Sequence, residues 1–267
     1  MRLKYLIPLV ILVAGCTPAP IERPSGPVTA AHRPPVHQKP GELSRLFAGL
    51  TRVAPDADPE VLSMALQARQ CAIRNGHVRS DSQRLAVIDY SRPSSQKRLW
   101  VFDLAQQRLL FDEYVAHGAG SGDNMATHFS NTNDSHQSSL GLFSTAETYF
   151  GANGYSLRMD GLEPGINDNA RDRAIVIHGA DYVNPMLINT QGRIGRRWGC
   201  PAVARDVANQ MIDTLKEGNL VYAYYPDPNF VRSSQMLDCG GAAIADLGPG
   251  YRGTMPVGFE SNVSSAP

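Results

Sequence analysis

IVIHGADYVNPMLINTQGRIGRRWGCPAV, residues 175–203, joins a β-branched run to a loop rich in glycine and arginine. The run predicts a buried strand that delivers His178 and Gly179 at its end. After the loop, Pro201 suits the first position of a helix, which predicts Cys200 at the N-cap, where the helix dipole would lower the pKa of its thiol. The stretch therefore predicts that Cys200 and His178 meet as a thiol–imidazole pair.

Each of these two residues also has an ordinary structural explanation. Cysteine is among the most buried residue types, and a histidine at a strand end is more often structural than catalytic. Their placement around one loop favours a nucleophile and its general base, with a backbone carbonyl to orient the imidazole. Gly199 permits close approach of a substrate carbonyl. Because Pro201 has no N–H, the oxyanion donors would be the amides of Cys200 and Gly199.

The chain on either side of this stretch has mostly the sequence pattern of β-strands. Short apolar runs separated by turn-rich joints predict strands at 85–90, 98–103, 108–115, 140–145 and 220–225, the second and third forming a hairpin. Residues 151–154 indicate a glycine-rich turn, and residues 117–138 a long polar loop of the kind that is often functional. We expect a mixed, β-rich domain, either a β-sandwich or an open barrel, with a few helices.

Three helices are predicted beside these strands. Residues 43–50 have helical spacing, and Asp58 followed by Pro59 reads as the N-cap and first turn of a second helix that ends near Gly76. The third runs from 202 to 215 and places one apolar face toward the core, formed by Val203, Val207, Met211, Ile212 and Leu215.

The N-terminal residues predict export and lipidation. Residues 1–15 combine Arg2 and Lys4 with an apolar run too short to span a bilayer, and small residues precede Cys16. This resembles a lipoprotein signal, the alternative being an ordinary signal peptide that contains a cysteine. Acylation of Cys16 would anchor the chain to a membrane. Because Thr17 rather than an aspartate follows Cys16, we expect a periplasmic protein on the outer membrane.

The expected domain organisation follows from composition. Residues 16–41 would be a lipidated cysteine with a proline-rich tether, 42–78 a helical extension, 79–239 the catalytic domain and 240–267 a tail rich in glycine, serine and proline.

Charge and cysteine counts narrow the possible partners. The chain has 25 basic and 25 acidic side chains, so no strong field favours nucleic acid. Of four cysteines, Cys16 is assigned to the lipid, and three in an oxidising compartment leave one free thiol. A Cys71–Cys239 disulfide would leave Cys200 free, although other pairings are arithmetically allowed.

No cofactor or metal ion is predicted. The gaps between His117, His128 and His136 are 11 and 8 residues, which are not helix or zinc-finger spacings, and no CxxC occurs. The glycine-rich residues 118–122 lack the lysine of a phosphate-binding loop.

His178-Gly179, a loop, and then Trp198-Gly199-Cys200 resemble the catalytic signature of the L,D-transpeptidase (YkuD-like) family of peptidoglycan enzymes. The resemblance is strongest to its murein L,D-transpeptidase catalytic domain branch and covers residues 84–226. Further similar stretches are Phe129-Ser130-Asn131, Ser138-Ser139-Leu140-Gly141, Gly154-Tyr155-Ser156-Leu157-Arg158, Gly161-Leu162-Glu163 and Gly199-Cys200-Pro201.

The resemblance implies a mixed-β catalytic domain in which Cys200 attacks a peptidoglycan stem peptide and forms a thioester that a second stem resolves. It implies that His178 transfers the proton and that Gly199, with Gly179 and Trp198 nearby, helps to bind the substrate or its oxyanion. Two alternatives stay open: an L,D-carboxypeptidase or endopeptidase, in which water resolves the thioester, and a non-catalytic peptidoglycan-binding lipoprotein, against which the intact Cys200 and His178 argue.

Two residues of the signature have more than one interpretation. Arg197 stands where the wider family usually has a small hydroxyl residue, and it is either a ligand for a stem carboxylate or a solvated surface arginine. Trp198 is either a wall of the donor cleft or a core residue.

Overall fold

The computed structural model describes residues 41–239. The predicted signal peptide, Cys16, the tether up to residue 40 and the tail 240–267 lie outside the described residues. Among residues 41–239, no helix is both long enough and apolar enough to cross a bilayer.

The described chain contains eight strands, five α-helices and one short 3₁₀ turn at Ala119–Ser121. The helices are α1 (Glu42–Val53), α2 (Pro59–Arg74), α3 (Met186–Gln191), α4 (Arg205–Leu215) and α5 (Pro228–Ser233). The strands are β1 (Arg84–Asp89), β2 (Leu99–Asp103), β3 (Arg108–Glu113), β4 (Gly141–Gly151), β5 (Gly154–Gly161), β6 (Val176–Gly179), β7 (Ala202–Val203) and β8 (Leu220–Tyr224).

The two predicted N-terminal helices are confirmed as α1 and α2. Asp58 is the N-cap of α2, because its Oδ1 accepts a hydrogen bond of 2.8 Å from the amide of Glu60, and Pro59 occupies the first turn. Both helices bury apolar residues in the main hydrophobic core, so their packing rather than local propensity holds them to the sheet.

All eight strands belong to one sheet in the order β3-β2-β1-β8-β4-β5-β6-β7. The predicted hairpin is confirmed, since β2 and β3 are antiparallel neighbours. Two pairs are parallel, β1 with β8 and β6 with β7, and the others are antiparallel.

The two edges of the sheet approach each other. Beyond the end of β3, the amide of Ala116 donates a 2.9 Å hydrogen bond to the carbonyl of Ala202 in β7, and Gly118 forms a parallel bridge with Arg197. The sheet is therefore a nearly closed barrel with few helices, and the predicted fold class is confirmed in its open-barrel form.

Besides β7 and the 3₁₀ turn, three elements were not predicted. The turn at residues 151–154 joins β4 to a full strand, β5, in which Leu157 and Met159 are buried at alternate positions. The alternation of Tyr155, Leu157 and Met159 is the signal that could have indicated it. The short helices α3 and α5 were also missed.

The predicted helix start at Pro201 is wrong. The helix α4 begins at Arg205 with Ala204 as its N-cap, and Val203 belongs to β7 rather than to the helical face. Proline is compatible with the entry to a strand as well as with a helical first turn. Pairing of β7 with β6, which sets Ala202 opposite His178, decides between the two.

The disulfide prediction is confirmed. Cys71 in α2 and Cys239 beyond α5 are bonded, with Cα atoms 5.6 Å apart, and Cys200 is a free thiol.

Candidate active site

Strand register sets Ala202, two residues after Cys200, opposite His178. Because His178 pairs with Ala202, the register continued by two residues sets Cys200 beside Val176. Side chains two residues apart in an extended strand share a face, so this register would bring the thiol to the face of the imidazole, offset by roughly 7 Å along the strand. The amide of Val176, two residues before His178, does interact with the thiol of Cys200.

The composition of the two hydrophobic cores confirms this division of faces. Ile175 and Ile177 belong to the main core, whereas Ala180 and Ala202 belong to a smaller cluster with Ala116, Val183 and Ile194. The candidate site therefore lies on the face of the smaller cluster, which the loop after β6 covers.

His178 is buried, with 2% of its surface exposed, and its ring is oriented by a backbone carbonyl as predicted. Nδ1 lies 3.1 Å from the carbonyl oxygen of Gly179. Since a carbonyl oxygen only accepts, Nδ1 carries the proton and Nε2 of the neutral ring is free to take one. Burial lowers the pKa of His178, and the charges of Arg197 and Arg205 lower it further. The hydrogen bond to the Gly179 carbonyl raises this pKa and offsets part of the decrease.

The expectation that the thiol of Cys200 has a lowered pKa is wrong. Burial raises the pKa of Cys200, and the amide of Val176 with the charges of Arg173 and Arg197 offsets only part of that rise. The helix dipole expected to stabilise a thiolate is not available, because α4 starts five residues later. The Sγ atom donates to the carbonyl of Ala174 at 3.5 Å, as a protonated thiol does.

The resting site therefore holds a neutral thiol and a neutral imidazole. Among the hydrogen bonds within residues 41–239, none joins His178 to Cys200, and the thiol proton is directed at Ala174. Catalytic hydrogen bonds often form only when substrate is bound.

The two amides predicted to hold an oxyanion donate to no other residue of the described chain. Among residues 41–239, neither Gly199 nor Cys200 donates its N–H to another residue's backbone or side chain. The backbone of Gly199 has a φ of 102°, and a Cβ there would lie 2.6 Å from the carbonyl oxygen of Gln137. Only glycine fits this position, which leaves both N–H groups for a ligand.

Arg173 was missed by sequence reasoning. Its guanidinium donates to the carbonyl oxygens of Ser130 and Gln137 and to the hydroxyls of Ser135 and Ser139, so it fastens the 117–138 loop. Its charge also lowers the pKa of Cys200. No local sequence pattern identifies this arginine, because its side chain bonds only to residues distant in the chain.

Trp198 is not a core residue, since 64% of its surface is exposed. Its ring stacks on His136 with centroids 5.3 Å apart, and the guanidinium of Arg197 lies 5.5 Å from its centroid. His136 itself has a φ of 53°, which is unusual for a residue other than glycine. The three side chains form an exposed cluster directly before Cys200.

Gly179 is the last residue of β6, and Tyr182 lies in the loop that follows it. A Cβ on Gly179 would meet Ala208 of α4 at 2.8 Å, so this glycine permits helix packing and its carbonyl orients His178. The hydroxyl of Tyr182 is buried and has no hydrogen-bond partner within the described chain. Burial raises the pKa of Tyr182 to about 12, so the hydroxyl is a neutral hydrogen-bond donor.

The three histidines considered as metal ligands have other contacts. His117 Nδ1 accepts from Arg98 at 2.7 Å, His128 contacts Thr127, and His136 stacks on Trp198. Within residues 41–239, no group of three His, Cys, Asp or Glu side chains converges as a metal site requires.

Residues 53–224 match the family model of the L,D-transpeptidase catalytic domain, a segment that contains both His178 and Cys200. No curated protein matches the chain.

Several solved structures resemble part of this chain. One is an L,D-transpeptidase from Mycobacterium smegmatis, at 13% identity and a TM-score of 0.33 over 54% of this chain and 59% of that one. L,D-transpeptidase 1 of Mycobacterium tuberculosis matches at 12% identity and a TM-score of 0.30, over 52% of this chain and 60% of that one. An L,D-transpeptidase from Stackebrandtia nassauensis matches at 12% identity and a TM-score of 0.32, over 70% of this chain and 91% of that one. The chain thus spans about three fifths of the two mycobacterial proteins.

Proposed function

Because the chain belongs to the L,D-transpeptidase catalytic domain family, we propose that it transfers acyl groups between peptidoglycan stem peptides through a thioester on Cys200. One observation carries the proposal. A free thiol adjoins two backbone amides that donate to no other residue of the described chain, and a neutral histidine lies on the strand that pairs with the segment following Cys200. Nucleophile, base and oxyanion donors are the three parts that acyl transfer requires.

The proposed reaction begins when the thiol turns from Ala174 toward the ring of His178. Nε2 takes the thiol proton as sulfur bonds to the carbonyl carbon between stem residues three and four, and the amides of Gly199 and Cys200 hold the oxyanion. Collapse breaks the C–N bond, and His178 returns the proton to the departing D-alanine amine. The amine of a second stem then attacks the thioester, loses its proton to His178, and releases Cys200 as a thiol.

Arg197 is proposed to bind a carboxylate of the stem peptide. Among residues 41–239 its guanidinium contacts the Trp198 ring and forms no ion pair, in contrast to Arg193 and Arg196, which both pair with Asp123. Its charge lowers the pKa of His178 and of Cys200, so it lies within electrostatic range of the reacting atoms.

The variant Arg197→Gln tests this role. We expect KM for a tetrapeptide to rise roughly tenfold, as for loss of one charged hydrogen bond. Arg108→Gln, which changes an exposed arginine of β3, is the control and should leave KM unaltered. An unchanged KM in Arg197→Gln would show that this arginine is a solvated surface residue.

We also propose that Cys16 carries the lipid and that residues up to 41 tether the catalytic part to the periplasmic face of the outer membrane. The motif of small residues before Cys16 supports this. Growth with labelled palmitate should label the chain, whereas Cys16→Ser should abolish both labelling and membrane fractionation. Labelling of the Cys16→Ser chain would refute the assignment.

The full chain incubated with disaccharide-tetrapeptide decides between the enzymatic alternatives. Cross-linked dimer with release of D-alanine supports transfer, and disaccharide-tripeptide alone supports hydrolysis by water. Absence of any product with the wild-type chain, as with Cys200→Ala, would leave the non-catalytic peptidoglycan-binding alternative.

A further inference from the structure

Ser138 is the last residue of the 117–138 loop, and its side chain contacts Gly199, the residue before Cys200. This side chain has no role in the reaction proposed above. The residue is 1% exposed. Its Oγ is 3.0 Å from the amide nitrogen of Gly118 and 3.0 Å from the carbonyl oxygen of Gly199.

Hydrogen counting fixes the direction of both bonds. The Gly118 N–H can only donate, so the serine oxygen accepts from it. The carbonyl of Gly199 can only accept, so the single hydroxyl proton of Ser138 is donated to it. The buried hydroxyl of Tyr90 also hydrogen-bonds to the Ser138 side chain. With Tyr90 as donor, the Ser138 oxygen accepts from Gly118 and Tyr90, and its proton is donated to Gly199.

We propose that Ser138 is the positioning residue of the oxyanion hole, because its hydroxyl fixes the plane of the Gly199–Cys200 peptide. In a trans peptide the C=O and the N–H point in opposite directions. With the Gly199 oxygen held toward Ser138, the Cys200 N–H is turned away from the 117–138 loop and left for the acyl oxygen. This inference rests on the proposed acyl transfer at Cys200, but not on the identity of the acyl donor.

Ser138 is itself held firmly enough to act in this way. Its amide donates to Ser121 Oγ at 2.8 Å, in the short 3₁₀ turn. The backbones around it are in close approach, since a Cβ on Gly118 would lie 2.8 Å from the Cα of Gly199. Gly118 and Gly199 thus allow the Ser138 hydroxyl to bridge the two loop segments. A shift of Ser138 would therefore move the Gly199–Cys200 peptide.

Two reactions of Cys200 in the full chain separate the oxyanion hole from the thiol. Acylation by p-nitrophenyl acetate passes through an oxyanion, with release of p-nitrophenolate, whereas alkylation by iodoacetamide displaces iodide and forms no oxyanion. We expect Ser138→Ala to slow acylation about 10- to 100-fold, where the upper value corresponds to the loss of one oxyanion donor. The rate of alkylation should change by less than about twofold. Cys200→Ala gives the background of both reactions.

Ser63→Ala is the matched control, because Ser63 is another buried serine, bonded at 3.0 Å to Gln67 within α2. It should leave both rates unaltered. If Ser138→Ala does not fold, the variants Ser138→Thr and Ser138→Val, which have the same shape, report the hydroxyl alone, and Thr should acylate at least tenfold faster than Val.

Equal acylation in wild type and Ser138→Ala, a parallel loss of acylation and alkylation, or equal rates in the Thr and Val variants would each overturn the inference. A wild-type chain that p-nitrophenyl acetate acylates but a tetrapeptide does not would refute the proposed substrate and leave the role of Ser138 intact.

Discussion

The reactivity of Cys200 should increase steeply with pH, because the free protein holds a neutral thiol. Burial raises its pKa above the ordinary value of 9.0. At pH 7 a thiol of that ordinary pKa is about 1% thiolate, and a raised pKa makes the fraction smaller still. Since the thiolate is the nucleophile, alkylation of Cys200 by iodoacetamide should rise about tenfold per pH unit from pH 7 to 9 without reaching a plateau.

The assay is the alkylation rate of the peptide that contains Cys200, followed by mass spectrometry under non-reducing conditions. The unfolded, non-reduced chain supplies the reference thiol and should react faster than the native one at every pH. Arg197→Gln removes a charge that lowers the pKa of Cys200, so its alkylation at pH 8 should be roughly twofold slower, or about 0.5 kcal/mol for a part-exposed pair.

The same reasoning sets the acid limit of acylation. The pKa of His178 is lowered from its ordinary 6.5, so the neutral base persists below pH 6.5 and activity should fall only beneath that value. An apparent thiol pKa below 7, with alkylation already at its plateau at neutral pH, would reveal a resting thiolate–imidazolium pair and refute this account of the site.

Other expectations concern the fold around the site. Gly199→Ala should slow acylation more than 100-fold, because the positive φ and the Gln137 carbonyl both exclude a Cβ. Gly192 has a φ of 74° but open space around it, so Gly192→Ala should lose only about 1 kcal/mol of stability. Burial, and then Arg98, lowers the pKa of His117 from 6.5 to about 4, so the unfolded chain gains a proton first as pH falls. Unfolding by urea should therefore become easier by ~3 kcal/mol between pH 6.5 and 4, and His117→Gln should flatten that dependence. Replacing Cys71 and Cys239 by alanine should cost about 2–4 kcal/mol of stability and leave acylation in place at low temperature.

Local patterns in the sequence were sufficient for the elements and for the type of site. Short apolar runs separated by turn residues indicated most of the barrel strands, and the Asp58–Pro59 pair indicated the start of α2. Counting cysteines led to a free Cys200 once Cys71 and Cys239 were paired. Each of these inferences depends on residues close in the chain or on the odd number of cysteines left after Cys16. Tertiary contacts therefore change them little.

The environment of Cys200 could not be obtained in this way. Pro201 suits the entry of a strand as well as that of a helix, and only the long-range pairing of β7 with β6 selects the strand. The pKa of the thiol follows from burial and from Arg173, whose contacts span more than thirty residues of sequence. Ser138 is likewise separated by 61 residues from the carbonyl that it holds.

The intact mass of the full chain during reaction with disaccharide-tetrapeptide tests the central claim most directly. The account predicts a transient adduct equal to the disaccharide-tripeptide less water, located on Cys200 and absent in Cys200→Ala. An adduct located on another residue, or product formation by the Cys200→Ala chain, would contradict it.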